Sequence, residues 1–184
     1  MINLVKKGKI PAPASTPDKA LMFKLGVEFM AKHHLRRLSV NHWARDNRER
    51  ILYNSMAKTS AEVLPIGCSA GGNLAGFQLM HHRKLEDYMK SIENSQVPIA
   101  MMNQQPSENA LFNTIKAGFD AGILHKADLA TFRNGEVFEH LSSLFKHWQQ
   151  NGLVEYDGDY LVLTLAGSFW SVTLAQVLIQ VLNR

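Results

Sequence analysis

Cysteine is nearly absent, since Cys68 is the only one among 184 residues. That excludes an internal disulfide. It also excludes a zinc or iron–sulfur site built from this chain's thiolates alone, because such sites need several. A lone cysteine of this kind is expected to be a small buried residue. Long apolar runs are missing as well. The most apolar stretch, Phe169 to Leu182, is interrupted by Ser171, Thr173, Gln176 and Gln180. A membrane span needs ~20 apolar residues, so a buried helix and no membrane contact are expected. Lys6, Lys7 and Lys9 are not followed by the apolar core of a signal peptide, and the cytoplasm is the expected compartment. There is no internal repeat and no low-complexity tract. Charge of either sign is modest: 20 Lys and Arg against 16 Asp and Glu leave a net +4. Nucleic acid, an anionic cofactor or solubility alone would each account for that balance. A chain of this size holds one sizeable core or two small units.

Periodicity orders the chain as α/β. Ser15 or Thr16 is placed to cap a helix with Pro17 in its first turn, and Leu21, Leu25 and Phe29 give it a stripe expected to be buried. Leu35 to Trp43 reads as one strand, Asp46 to Arg50 as a charged turn, and Ile51 to Met56 as a short helix. Glu62 to Ile66 reads as a second strand running into a glycine cluster, with another extended piece at Leu74 to Met80. Leu85, Tyr88, Met89 and Ile92 mark an amphipathic helix. Gln96 to Pro106, with its two prolines, is the expected linker between units.

Beyond it, Ser107 precedes a helix carrying Leu111, Phe112, Ile115 and Phe119, stopped by Gly122. A short helix at Ala127 to Phe132 and a longer one from Gly135 to Gly152 follow. Asp157-Gly158-Asp159 between apolar runs is a hairpin signal, and Thr164 caps a last helix. Helix, helix, hairpin and terminal helix make a winged-helix-like module.

The feature with most chemical content is Gly67-Cys68-Ser69-Ala70-Gly71-Gly72. Glycines at a strand end let backbone approach a ligand and present N–H donors. It is neither a dinucleotide fingerprint nor a P-loop, having Ser69 where the former needs glycine and lacking the latter's lysine. An ordinary tight turn would use the same residues. His33-His34 and His81-His82 are adjacent pairs whose rings diverge, so solvent-exposed imidazoles are expected. His42 near a strand end and Arg45 beyond it are candidate site residues, Arg45 because guanidinium pairs with carboxylates. Structural histidine and solvated turn are the plainer alternatives. Met101-Met102 fits core packing.

Leu64-Pro65-Ile66-Gly67-Cys68-Ser69-Ala70-Gly71-Gly72-Asn73 resembles the late glycine/alanine segment of oxygen-independent coproporphyrinogen III oxidase-like radical S-adenosylmethionine (SAM) proteins. Ser39 to Arg45, then Arg48-Glu49-Arg50 and Tyr53-Asn54, resemble what precedes that segment, and Leu161 to Trp170 resembles the family's C-terminal module. Gly71-Gly72-Asn73 and Phe169-Trp170 bring the chain nearest the anaerobic haem-degrading methyltransferases of the family. The resemblance implies the C-terminal portion of a partial (β/α) radical SAM barrel over 1–105, then a mainly helical winged-helix-like domain over 106–184. It implies SAM and a [4Fe-4S] cluster in the full-length family, and radical chemistry on haem or coproporphyrinogen III.

On that resemblance Gly67, Ser69, Ala70, Gly71 and Gly72 are the cofactor-contacting positions, with Ser69 standing where glycine is expected. His42 and Arg45 fall on the substrate side. The C-x3-C-x2-C loop that holds the cluster is not in this sequence. The chain is therefore expected to act as a piece that needs an N-terminal barrel segment, to be inactive alone, and to self-associate through an open barrel edge. The rival reading is a nucleic-acid-binding or non-catalytic interaction domain. It is disfavoured because Asp157 and Asp159 would repel phosphate at the hairpin and Lys146 is the only cation between Glu136 and Asn151.

Overall fold

The computed structural model describes residues 8, 11–49, 56 and 61–183. The chain opens with helix α1 (Thr16–Lys32), started by a capping box in which Ser15 and Asp18 bond each other's backbone N–H. A hairpin of β1 (Arg36–Ser39) and β2 (His42–Ala44) follows. A three-stranded sheet then forms from β3 (Gly71–Leu74), β4 (Phe77–His81) and β5 (Ile99–Gln104), with helix α2 (Leu85–Glu93) inserted before β5. Its order is β3-β4-β5, antiparallel throughout.

The C-terminal part comprises α3 (Asn109–Ala121), β6 (Ile123–His125), α4 (Lys126–Leu129), α5 (Val137–His140) and α6 (Ser142–Gln150). It ends with β7 (Val154–Tyr156), β8 (Tyr160–Leu163), α7 (Leu165–Phe169) and α8 (Ser171–Leu182). Here the sheet order is β6-β8-β7. The Asp157 to Asp159 hairpin forms as the sequence predicts, with the Asp157 carboxylate accepting from the N–H of Asp159 and Tyr160. Those bonds, Asp159's first, hold the Asp157 carboxyl below its ordinary range.

Nearly all deep burial lies in this second part. Leu111, Ile115 and Phe119 of α3 meet Leu174, Leu178 and Leu182 of α8, while Phe138, Phe145 and Trp148 close the core over Leu124, Leu161 and Val154. Each such side chain contributes roughly 1.5–3 kcal/mol by leaving water. Gly167 is required at the joint, because a Cβ there would strike the Leu153 carbonyl oxygen. Arg133 clamps the bundle from outside. Its guanidinium donates to both Glu108 carboxylate oxygens at 2.6 Å and to the Leu182 carbonyl at 2.8 Å.

The first part is thinly packed, and several expectations change there. Leu21, Leu25 and Phe29 are more than half exposed rather than buried. Apolar residues run all round α1, so spacing alone did not choose a face, and Phe23 makes the contact instead, against Phe169 at 5.9 Å. Leu35 to Trp43 is a hairpin, not one strand. Arg37 reverses the chain by donating to the carbonyls of Ser39 (3.1 Å) and Val40 (2.6 Å) while lying over Trp43. Its partial burial lowers its pKa. The strand expected at Glu62 to Ile66 is reduced to a single bridge, Val63 with Asn73. Every strand pair among the described residues is antiparallel. The expected linker contains β5, because Ile99 to Gln104 completes the sheet while Pro98 and Pro106 stay outside its ladder. Trp170 breaks the last helix into α7 and α8. The short helix expected from Ile51 to Met56 falls outside the described residues, Met56 excepted.

Candidate functional site

The glycine loop is built by hydrogen bonds from the end of β4. Gly67 has φ of 98° and Ser69 has φ of 65°, so the chain turns twice through the left-handed region between Ile66 and Ala70. Glycine takes that conformation freely, whereas serine pays a steric penalty of about 1 kcal/mol. What holds Ser69 there is local: its N–H donates to the His82 carbonyl at 2.9 Å and its hydroxyl to the Arg83 carbonyl at 3.3 Å. The Cys68 thiol donates to the same His82 carbonyl at 3.2 Å. Cys68 is half-buried rather than fully buried.

His81 is the member the sequence did not single out. It is buried, not solvent-exposed as its pairing with His82 led one to expect. Its Nδ1 lies 2.9 Å from the Gly67 carbonyl oxygen, and its ring sits 5.8 Å from that of Tyr88 on α2. The signal was its place in an alternating strand, facing the same way as buried Leu79.

The two adjacent glycines have different reasons to be there. A Cβ on Gly72 would collide with the Val63 carbonyl oxygen and lie 2.7 Å from Pro65 Cδ. Gly72 therefore lets the Val63–Pro65 segment pack against β3. Gly71 has room, with only the Leu79 carbonyl oxygen near, at 3.8 Å.

Gly71 and Gly72 line an open cleft of about 460 Å³ between the β3-β4-β5 sheet and α3. Gly67, Ser69 and Ala70 form the loop leading into β3, and Ser69 is exposed. His42 and Arg45 belong to the other hairpin and are not among the residues lining this cleft. That hairpin docks on the far end of α3, where the Val40 N–H donates to the Asp120 carbonyl at 2.7 Å. No group of three or more candidate metal ligands occurs among the described residues.

The fold matches part of the fold of a solved radical SAM enzyme. Coproporphyrinogen III oxidase (HemN) from Escherichia coli superposes with a TM-score of 0.70 at 13% identity, covering 90% of this chain and 42% of that one. In sequence the chain is similar to the anaerobilin synthase of Escherichia coli O157:H7, 32% identical over 178 residues. That match covers 95% of this chain and 38% of the synthase, so the chain spans well under half the length of either relative. No family model matches it. The resemblance carried by the glycine segment and its flanking motifs stands on both comparisons.

Proposed function

We propose that the chain is the C-terminal part of a radical SAM enzyme acting on haem or a related tetrapyrrole, by degradation with methyl transfer or by coproporphyrinogen oxidation. The observation that carries this reading is the similarity to anaerobilin synthase across 95% of the chain. In this reading 1–105 is the end of the barrel, 106–184 the C-terminal domain, and the compartment the cytoplasm. No helix among the described residues is long and apolar enough to cross a membrane.

SAM fits the glycine loop. Gly67, Ser69, Ala70, Gly71 and Gly72 would run beside it, the exposed Ser69 and the open space over Gly71 leaving backbone accessible to a nucleoside or an amino-acid group. When bound, SAM supplies the radical that begins the reaction. The loop's own task is to present a fixed backbone, which His81 and the Cys68 thiol secure. The residues present do not fit the [4Fe-4S] cluster, because Cys68 is the only thiolate available. The cluster ligands must come from polypeptide outside these residues, and the chain alone would not cleave SAM. His42 and Arg45 would face the substrate.

Anaerobic calorimetry with SAM tests the assignment. Saturable binding by the folded chain, weakened in Gly71→Val, is expected. A folded chain that ignores SAM would overturn it.

The C-terminal topology favours a second reading for that domain. The order helix α3, strand β6, helices α4 to α6 and a β7-β8 hairpin, with sheet order β6-β8-β7, supports reading it as winged-helix-like. With Glu155, Asp157 and Asp159 on the hairpin, this domain suits protein contact better than duplex DNA.

A further inference from the structure

The cleft beside Gly71 has a chemical character of its own. Its wall is one face of α3, where Asn109, Phe112, Asn113 and Lys116 recur at i, i+3, i+4 and i+7. The adjoining face of the same helix carries Leu111, Ile115 and Phe119 into the core, and Phe112 at the boundary is buried with them. The cleft floor comes from the cross-strand pairs Gly71 with Met80 and Asn73 with Gln78. Gln104, Gln105 and Pro106 close one end.

The lining is therefore carboxamides with a single ammonium, and none of the described residues lining the cleft is acidic. Lys116 is exposed and makes no ion pair or hydrogen bond among the described residues. The wall helix also starts here: Asn109 lies in its first turn, behind the N-cap Glu108, whose carboxylate is taken up by Arg133. Its macrodipole adds positive potential at the same end. Lys116 also borders a neighbouring groove between α3 and α8, which it shares with Asp120 one turn further on.

Amide side chains offer both donors and acceptors, and an ammonium that makes no ion pair among the described residues favours an anion. Phe112 and Met80 add apolar contact. The cleft is open and of modest volume, so it fits the edge of a large ligand better than a whole macrocycle.

We infer that this cleft is a carboxylate-accepting subsite, in which Lys116 on α3 receives an acidic arm of the tetrapyrrole. The assignment rests on the tetrapyrrole reading above. It places the acid-binding group on the C-terminal domain, away from Arg45.

The test is a fluorescence titration of the 184-residue chain with coproporphyrin III, a porphyrin bearing only carboxylate arms. Lys116 is exposed, so its variants should fold, and circular dichroism checks that they do. Lys116→Glu should weaken binding about tenfold or more, Lys116→Arg should restore it, and added salt should narrow the difference. Unchanged affinity in Lys116→Glu would overturn the subsite alone. Failure of the unmodified chain to bind the porphyrin would overturn both the subsite and the tetrapyrrole reading.

Discussion

The Nδ1 of His81 stands 2.9 Å from the carbonyl oxygen of Gly67, joining the last residue of β4 to the first residue of the glycine loop. A carbonyl only accepts, so Nδ1 carries the hydrogen, and the ring is both buried and oriented by this bond. The loop's shape thus depends on a residue 14 positions away. His81→Phe keeps the ring's bulk and removes the donor. It should cost about 1–3 kcal/mol in chemical denaturation, because the Gly67 carbonyl loses its partner. Amide exchange at Ser69 and Ala70 should accelerate, while exchange in α3 and α8 stays slow.

Gly72 and Gly71 should part company on substitution. Gly72→Ala drives a methyl into Val63 and Pro65 and should destabilise by about 1–3 kcal/mol, with loss of the Val63–Asn73 bridge. Gly71→Ala meets no close atom and should leave the melting temperature nearly unchanged. Equal effects of the two changes would contradict the packing described for β3.

Acid should loosen the C-terminal clamp in a predictable direction. The Arg133 guanidinium holds the Glu108 carboxyl below its ordinary range, chiefly by hydrogen bonding. A depressed carboxyl contributes stability above its unfolded pKa, and that contribution is lost as pH falls through the folded value. The melting-temperature gap between the unmodified chain and Glu108→Gln should therefore be full at neutral pH. It should close only below the ordinary carboxylate range.

Arg37 should matter for the first hairpin through hydrogen bonding and not through bulk. Arg37→Met keeps an apolar side chain at the turn and removes both the donors to Ser39 and Val40 and the guanidinium lying over Trp43. A loss of about 1–2 kcal/mol is expected, with tryptophan fluorescence reporting Trp43 becoming more exposed. A silent Arg37→Met would mean the turn is held by β1-β2 pairing alone.

Most C-terminal turns and helix ends were readable in the sequence because they rest on short-range rules, although the helix expected from Gly135 to Gly152 is divided at Leu141 and the last one at Trp170. Gly122 in the left-handed region stops α3, Thr164 accepts the Gly167 N–H to start α7, and Asp157-Gly158 turns β7 into β8. The glycine cluster was readable as a loop for the same reason. The first part was not, because its structure depends on distant partners. Nothing near Leu21 or Phe29 says that Phe23 would find Phe169, and nothing near Arg37 marks it as the residue that bends the strand. His81 was hidden by its neighbour: a pair of histidines looks solvated until the strand's alternation assigns one of them inward. The cleft was invisible for a different reason. Asn109, Asn113 and Lys116 read as an ordinary solvated helix face, and only the antiparallel sheet opposite turns that face into a wall.

The connection between β5 and α3 has a mechanical consequence. Only Gln105 to Glu108 separate the strand from the helix, and the Gln105 N–H is pinned to the Gly76 carbonyl at 2.8 Å. Floor and wall of the cleft are thus joined at the Gln105 end, and because α3 is also packed against α8 and held by the first hairpin at Asp120, the core sets the width of the gap between them.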